Sequence, residues 1–347
     1  MTAPKRRVPR WCWTVLKLAA AACVVVWMFQ KGILDLAEED LARALANWRW
    51  LAIALAALLI GIFVQSVRWG ILLRAQGIHA GTIELFSLTM TGLFFTVIAP
   101  GGIGGDAVKA FYVARGREKA AAAATTVFLD RFLGLATLLF VAAVMVGIKC
   151  RTLWYKELEK LDRFGMPGGR VLVIAIGAAI AAIIVFALLV TNKRVRRSAL
   201  LNRLSRFVPF RGTLVKVYDA LHVYGDKPGA MLSAVLVSIA AQTMLYLAYY
   251  LYGLAVGAGM EWWHCVLIVP PAMVVRVLPL VPGGAGQGMV AMGLLFPLVG
   301  VSDGAAVGAL GDAMFFVVYL IGGLFFVFGK TTYNEMRAAV PNVPEDA

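Results

Sequence analysis

The chain's 347 residues are 61% hydrophobic and only 15% charged, and their mean hydropathy is +0.82. A soluble globular chain is about half apolar and about a quarter charged, so this composition excludes that class. The formal net charge is +14, but the Lys and Arg residues flank apolar runs of membrane-spanning length. That placement favours anionic lipid headgroups over nucleic acid as the partner. We therefore expect an integral membrane protein that binds no nucleic acid.

Six apolar runs have the roughly 20 residues that a helical crossing of the bilayer requires. In chain order they are Trp11–Phe29, Trp48–Leu73, Ala120–Ile148, Val171–Thr191, Ala230–Val256 and Ala305–Phe328. The sequence thus predicts an all-α, polytopic membrane protein. Its transmembrane domain would cover residues 11–329, between a basic tail at 1–10 and a short tail at 330–347.

The basic residues predict the orientation, because cytoplasmic loops are enriched in Lys and Arg. The N-terminal tail is basic, and residues 192–227 carry nine Lys and Arg against two Asp. Both are expected in the cytoplasm, the second as a basic amphipathic linker. Residues 31–49 carry three basic and four acidic residues and should lie outside, although residues 149–170, also placed outside, carry six basic residues. With six spans, both termini face the cytoplasm.

Two further apolar segments, Phe86–Ala99 and Val266–Val281, each run into Pro-Gly-Gly and resume as another short apolar stretch. Neither half is long enough to cross the bilayer comfortably alone. Irregular backbone at membrane depth must be buried in protein or line a cavity. Both segments are therefore predicted to form re-entrant helical hairpins.

The two interruptions share a pattern. Pro100, Gly101, Gly102 and Gly104 are matched 182 residues later by Pro282, Gly283, Gly284 and Gly286. Thirty residues after each proline stands an intramembrane acid, Asp130 and then Asp312. Three predicted crossings separate the hairpins, so they would enter from opposite faces. That is the arrangement of an inverted repeat with a substrate site near the midplane. The alternative is that the glycines only permit tight packing.

Each break has the chemistry of an anion site. Proline ends the incoming half-helix, and glycine lets the chain turn and leaves its N–H groups uncovered. The outgoing half-helix then begins with unpaired N–H groups and a positive dipole end, which favour phosphate or carboxylate. At the first break Gly105, Asp106 and Lys109 follow, so a cation is available. The second break has Gln287 instead and is electrically weaker.

Charges inside spans are costly and are functional candidates by default. Arg131 could hold a lipid phosphate or pair with Asp106. Asp130 could be a proton-linked group or a partner for Lys109 or Arg68. A purely structural buried pair also stays open.

The second half carries its own candidates. Arg276, six residues before Pro282, is a second possible phosphate contact, and Asp312 is its expected neighbour. Lys17 and Arg68 lie near span ends and are interpreted as side chains that extend to the interface.

The sequence offers nothing that suits ordinary catalysis. It has no Ser-His-Asp set, no cluster of metal ligands and no phosphate-binding loop of the Gly-Lys-Ser/Thr type. The four cysteines have no Cys-x-x-Cys spacing, and there are only three histidines. We expect a protein that is not an enzyme and holds no metal or cofactor.

Three stretches resemble signatures of one family. They are Leu93–Phe111, Phe128–Leu135 and Leu278–Gly286. In this order they are similar to the signatures of the lysylphosphatidylglycerol synthase transmembrane (flippase-like) family. The resemblance covers residues from about 10 to 330.

The resemblance implies a role in moving lipids across the bacterial inner membrane. Family members handle aminoacylated phosphatidylglycerol and, in some cases, polyprenyl-phosphate-linked sugars. Full synthases carry a soluble aminoacyltransferase domain after the membrane domain. This sequence ends at Ala347, so we expect no lysyl transfer. It also departs from the family at Gln287-Gly288-Met289, where a Val-Arg-Glu-like run is usual, and at Gly311-Asp312, where an arginine is usual.

The function expected from the sequence is therefore translocation of an anionic or phosphate-bearing lipid. Such a substrate would be an (amino)phospholipid or a polyprenyl-phosphate lipid. The first alternative is a non-transporting membrane scaffold that partners a glycosyltransferase or other lipid-modifying enzyme. The second is a membrane-embedded enzyme that modifies lipids.

Overall fold

The structure, a computed structural model, describes residues 38–98, 103–114, 120–152, 227–277 and 286–328, and the single positions 177, 181 and 224. Within these ranges the regular secondary structure is helical and no strand occurs. The all-α fold is therefore confirmed for the described part of the chain.

Nine α-helices follow one another along these ranges. In chain order they are α1 (Glu38–Ala46), α2 (Trp48–Ala75), α3 (Thr82–Ile98), α4 (Ile103–Ala114), α5 (Ala120–Thr152), α6 (Pro228–Val256), α7 (Trp262–Val277), α8 (Gln287–Leu295) and α9 (Gly304–Phe328). A short 3-10 helix, Phe296–Val299, directly follows α8.

Among the described residues, four helices are long and apolar enough to cross a membrane: α2, α5, α6 and α9. Each coincides within a few residues with a predicted span. Trp48 and Trp50 are exposed at the start of α2, where amphipathic indole rings suit a membrane interface. The predicted spans Trp11–Phe29 and Val171–Thr191 lie outside the described residues, as do both tails and most of the 192–227 linker. The six-span count and the orientation stay predictions.

Two pairs of shorter helices lie where the hairpins are predicted. α3 has 17 residues and α7 has 16. At 1.5 Å per residue each is about 25 Å long, less than the roughly 30 Å of hydrocarbon in a bilayer. Both begin four residues earlier than predicted. α3 packs against α4, and α7 packs against α8. The residues that join each pair lie outside the described ranges, so the re-entrant path stays a prediction.

The two long helices α2 and α6 pack against each other and run antiparallel. At one end Asn47, just before α2, donates its amide to the carbonyl of Ala255 at 3.0 Å. At the other end Lys227, just before α6, donates its ammonium to the carbonyl of Ala75 at 2.6 Å. The last carbonyl groups of a helix lack partners within the helix. Here the residue before each helix donates a hydrogen bond to one of the last carbonyl groups of the other helix.

The shorter helices α3 and α7 also pack against long helices that lie far from them in the sequence. α3 contacts α9, and α7 contacts α5. The α3–α9 contact is aromatic, with Phe86 and Phe325 edge to face at 5.5 Å between ring centroids. In the α5–α7 contact the ammonium of Lys149 lies 4.7 Å from the ring centroid of Trp263. One helix of each short pair is therefore held against a long helix from a distant part of the chain: α3 against α9, and α7 against α5.

The two halves have the same order of helices. A step of 182 residues along the sequence leads from α2, α3, α4 and α5 into α6, α7, α8 and α9, respectively. In both sets a long helix is followed by two short ones and a second long one. The spacing first seen in two Pro-Gly-Gly motifs thus extends to whole helices.

α3 and α4 approach each other closely at Gly105. A Cβ atom on Gly105 would clash with the carbonyl of Gly92 and lie 2.5 Å from the hydroxyl of Thr96. Gly105→Ala should therefore separate the two helices and destabilise the fold by about 1–3 kcal/mol, as overpacking does. Thermal unfolding in detergent measures this as a lower Tm.

Gly147→Ala, on α5, is the matched control, because no atom lies within 4 Å of the position its Cβ would take. Its Tm should equal or exceed that of the wild type, since alanine is the better helix former. Equal Tm values for both variants would contradict the tight α3–α4 crossing.

Candidate functional site

The first site is built at the start of α4, directly after the first break. α4 begins at Ile103, and Asp106 lies in its first turn. An acidic side chain there interacts favourably with the positive end of the helix dipole. The close crossing at Gly105 brings this turn against α3. α4 also packs against α5, so this helix start lies beside the charged part of α5.

Arg131 of α5 pairs with Asp106. The guanidinium Nε donates to the carboxylate Oδ1 at 2.9 Å. The side chain of Arg131 is 48% exposed and that of Asp106 is 28% exposed. Of the two roles considered for Arg131, the structure shows the pair with Asp106, and about half of the arginine side chain remains exposed.

Asp130, the residue before Arg131 on α5, faces the other way and is buried. Its carboxylate accepts a hydrogen bond from Arg68 Nε of α2 at 2.7 Å. The same guanidinium donates to the hydroxyl of Ser238 on α6 at 3.1 Å. Three long helices are thereby joined through one buried cation.

The interpretation of Arg68 as a side chain that extends to the interface is wrong. Arg68 is only 3% exposed. A buried charge is costly unless it is paired, and Asp130 supplies the opposite charge inside the bundle. Of the two partners considered for Asp130, the structure therefore selects Arg68 over Lys109.

Lys109 is the third cation of this site, one turn beyond Asp106 on α4. It is buried, and its ammonium lies 5.1 Å from the ring centroid of Trp69 on α2. Trp69 is fixed in place because its indole N–H donates to the hydroxyl of Thr126 at 3.1 Å. Among the described residues, no carboxylate lies within ion-pair distance of Lys109. Both nearby acids are already paired with arginines.

The second site lies where α8 begins. Arg276 of α7 forms an ion pair with Asp312 of α9, so the expected neighbours are confirmed. The other carboxylate oxygen of Asp312 accepts the backbone N–H of Met289 at 3.2 Å. The guanidinium carbon lies 4.4 Å from the ring centroid of Phe315. The side chains are only 9% and 1% exposed, so this pair is sealed.

The glycine-rich breaks themselves are described only in part. Pro100, Gly101, Gly102, Pro282, Gly283 and Gly284 lie outside the described residues, so their expected role in binding stays a prediction. Gly286, which precedes α8, has φ of +73°, a conformation that residues with a side chain rarely adopt. Gln287 follows as a buried residue at the first position of the helix.

Several residues of the sites were missed from the sequence. Tyr319 of α9 lies near both Arg131 and Arg276. Trp69 and Ser238 are also buried next to charged groups. The sequence could have indicated these residues only through their positions inside apolar spans and, for Trp69, through its neighbour Arg68. Within the described ranges no three His, Cys, Asp or Glu side chains gather as metal ligands.

Comparison with known proteins adds one finding. The sequence model of a family described as "Lysylphosphatidylglycerol synthase TM region" matches residues 14–326. That range contains both breaks and all the charged residues of the two sites. Comparisons with curated proteins and with solved structures gave no match.

The contrast between the two first-site ion pairs generates the second prediction. Asp130→Asn would leave Arg68 buried without a counter-charge, which costs about 3–5 kcal/mol in comparable cases. Asp106→Asn removes the partner of a half-exposed arginine and should cost at most about 1 kcal/mol. Thermal unfolding of both variants in detergent should therefore show a much larger loss of Tm for Asp130→Asn. Similar losses would contradict the assignment of Arg68–Asp130 as the buried structural pair.

Proposed function

The chain belongs to the lysylphosphatidylglycerol synthase TM region family, and on that premise we propose that it translocates a lipid with an anionic, phosphate-bearing headgroup across the inner membrane. The substrate class is an (amino)phospholipid or a polyprenyl-phosphate lipid. Under this proposal the protein is a transporter, not an enzyme, and its partners are membrane lipids.

The observation that carries the proposal is the charge on Lys109. The ammonium is buried and has no carboxylate of its own among the described residues. An uncompensated cation at membrane depth is costly and marks a functional site. A phosphate group would supply the missing negative charge.

Arg131 supplies the accessible side of the same site. Its side chain is half exposed while it pairs with Asp106. A phosphate that arrives from the lipid would compete with this carboxylate for the guanidinium, which can hold two phosphate oxygens at once. The start of α4 adds backbone N–H groups and the positive end of its dipole. Headgroup phosphate would thus be bound between Lys109 and Arg131.

We further propose that the two sets of four helices are an inverted repeat. Support comes from α2 and α6, which correspond by the 182-residue step and run antiparallel. If they cross the bilayer in opposite directions, α3 and α7 enter it from opposite faces. The headgroup site would then lie between two oppositely oriented breaks, as in transporters with alternating access.

A flipping assay in proteoliposomes tests the proposed function. The wild type should move fluorescent anionic phospholipid between leaflets without a partner protein. Lys109→Met and Arg131→Gln should each lower the rate about tenfold or more, because a hydrogen bond to a charged group contributes about 1.5–3 kcal/mol. The matched controls are Lys149→Met, whose ammonium lies over Trp263, and Arg74→Gln, exposed at the end of α2.

The controls should flip lipid at the wild-type rate. Equal losses in all four variants would remove the assignment to the first break. A wild type that moves no anionic lipid and co-purifies with a lipid-modifying enzyme or glycosyltransferase would favour the scaffold instead.

The inverted repeat has its own test in cysteine labelling. His79 and Glu261 are exposed, precede α3 and α7, and correspond by the 182-residue step. In a background without the four native cysteines, His79→Cys should react with a membrane-impermeant maleimide from the cytoplasmic side. Glu261→Cys should react from the outer side. Labelling of both positions from one side would rule out the inverted arrangement.

A further inference from the structure

A reciprocal pair of hydrogen bonds closes the first turn of α7. The carbonyl of Glu261, the residue before the helix, accepts the backbone N–H of His264 at 3.1 Å. The backbone N–H of Glu261 donates in turn to the imidazole Nδ1 of His264 at 2.9 Å. His264 is the third residue of α7. A side chain at this position commonly reaches back to the N–H before the helix, and the residue is usually Glu or Gln.

α3 carries the ordinary form of this cap. Its third residue is Glu84, whose carboxylate accepts the backbone N–H of Gly81 at 3.2 Å. Glutamate carboxylates take up a proton only near pH ~4.3, whereas imidazole does so near about pH 6.5. Once Nδ1 carries a proton it donates and no longer accepts. Of these two helix caps, the one on α7 therefore depends on a group that titrates close to neutral pH.

The surroundings of His264 disfavour the protonated ring. Its side chain is buried, and it lies two residues before the apolar segment Val266–Val281. Burial lowers the pKa of His264 below its ordinary value; the carboxylate of Glu261 acts against this shift, and the ammonium of Lys149 on α5 adds to it. Among the described residues, no carboxylate lies within ion-pair distance of the imidazole.

Trp263 links this cap to α5. Its ring centroid lies 4.0 Å from that of His264, and its indole N–H donates to the carboxylate of Glu261 at 3.0 Å. The ammonium of Lys149 lies 4.7 Å from the centroid of the same indole ring. A change at the cap therefore reaches the contact between α5 and α7.

We propose that His264 is a pH-sensitive helix cap that releases the first turn of α7, and with it the Trp263–Lys149 contact to α5, when the medium becomes acidic. The neutral ring accepts the N–H of Glu261. A protonated ring turns a donor towards that N–H and places a second cation beside Lys149.

The direction of the effect follows from the lowered pKa. The folded protein binds the proton of His264 less tightly than the unfolded chain does, so stability rises with pH over the range in which the ring titrates. The contribution of the neutral ring is complete above about pH 6.5. It is lost as the pH falls through the lower pKa of the folded protein.

Thermal unfolding in detergent from about pH 8 to about pH 5 tests the cap. The comparison variant is His264→Gln, because glutamine is common at this position and does not titrate. The Tm of the wild type, relative to that of His264→Gln, should be constant above about pH 7 and should fall by about 2 °C or more in acid. His79→Gln, which replaces an exposed histidine before α3, is the control and should keep the pH dependence of the wild type.

Cys265 gives a local readout, because its buried thiol directly follows His264. In proteins that keep Cys265 as their only cysteine, its reaction rate with uncharged dithiodipyridine is divided by the rate of glutathione at the same pH. This ratio should rise several-fold on acidification when His264 is present and stay constant in His264→Gln. Neither measurement requires that the protein move lipid.

If His264→Gln does not fold, His264→Asn, which also offers an amide oxygen, takes its place. A Tm difference between wild type and variant that is independent of pH would show that His264 only packs, and would overturn the proposal. An equal rise of Cys265 reactivity in both proteins would overturn it as well.

Discussion

A charged side chain at membrane depth must be paired with an opposite charge. In this protein Arg68 and Arg131 each pair with an aspartate, and Lys109 does not. The Arg68–Asp130 pair joins α2, α5 and α6 through buried groups, and that junction fixes the part of α5 that also carries Arg131. Because Asp130 is committed to Arg68 and Asp106 to Arg131, Lys109 has no carboxylate left among the described residues. The proposed lipid site rests on that missing partner.

The antiparallel helices α2 and α6 are joined by polar contacts at both ends. Each helix begins where the other ends, and side chains before each start satisfy the other's last carbonyl groups. The short helices α3 and α7 pack against α9 and α5, respectively. The helices that follow the two breaks, α4 and α8, lie next to the long helices α5 and α9, which carry charged residues. The two sets of four helices have the same order but differ in charge. Lys109 has no carboxylate partner among the described residues, whereas Arg276 and Asp312 form a sealed pair.

Much of the fold and of the two sites could be predicted from the sequence, because the features that determine them lie within short stretches of the chain. Long apolar runs set the long helices, and Pro-Gly-Gly set the interruptions. Intramembrane charges predicted the pair Arg276–Asp312 and offered Asp106 as one of two possible partners for Arg131. The choice of Arg68 over Lys109 as the partner of Asp130 could not be predicted, because Arg68 lies 62 residues away from Asp130 and only packing brings α2 and α5 together. Likewise, no sequence pattern indicated that Trp69 would cover Lys109 or that Asp312 would reach the start of α8.

The central claim is that the unmatched charge of Lys109 binds a lipid phosphate. Native mass spectrometry of the purified protein, titrated with phosphatidylglycerol or phosphatidylcholine of identical tails, measures this most directly. We predict that the wild type retains phosphatidylglycerol in preference to phosphatidylcholine. Lys109→Met should lose that preference, while Lys149→Met keeps it. An unchanged preference for phosphatidylglycerol in Lys109→Met would contradict the account.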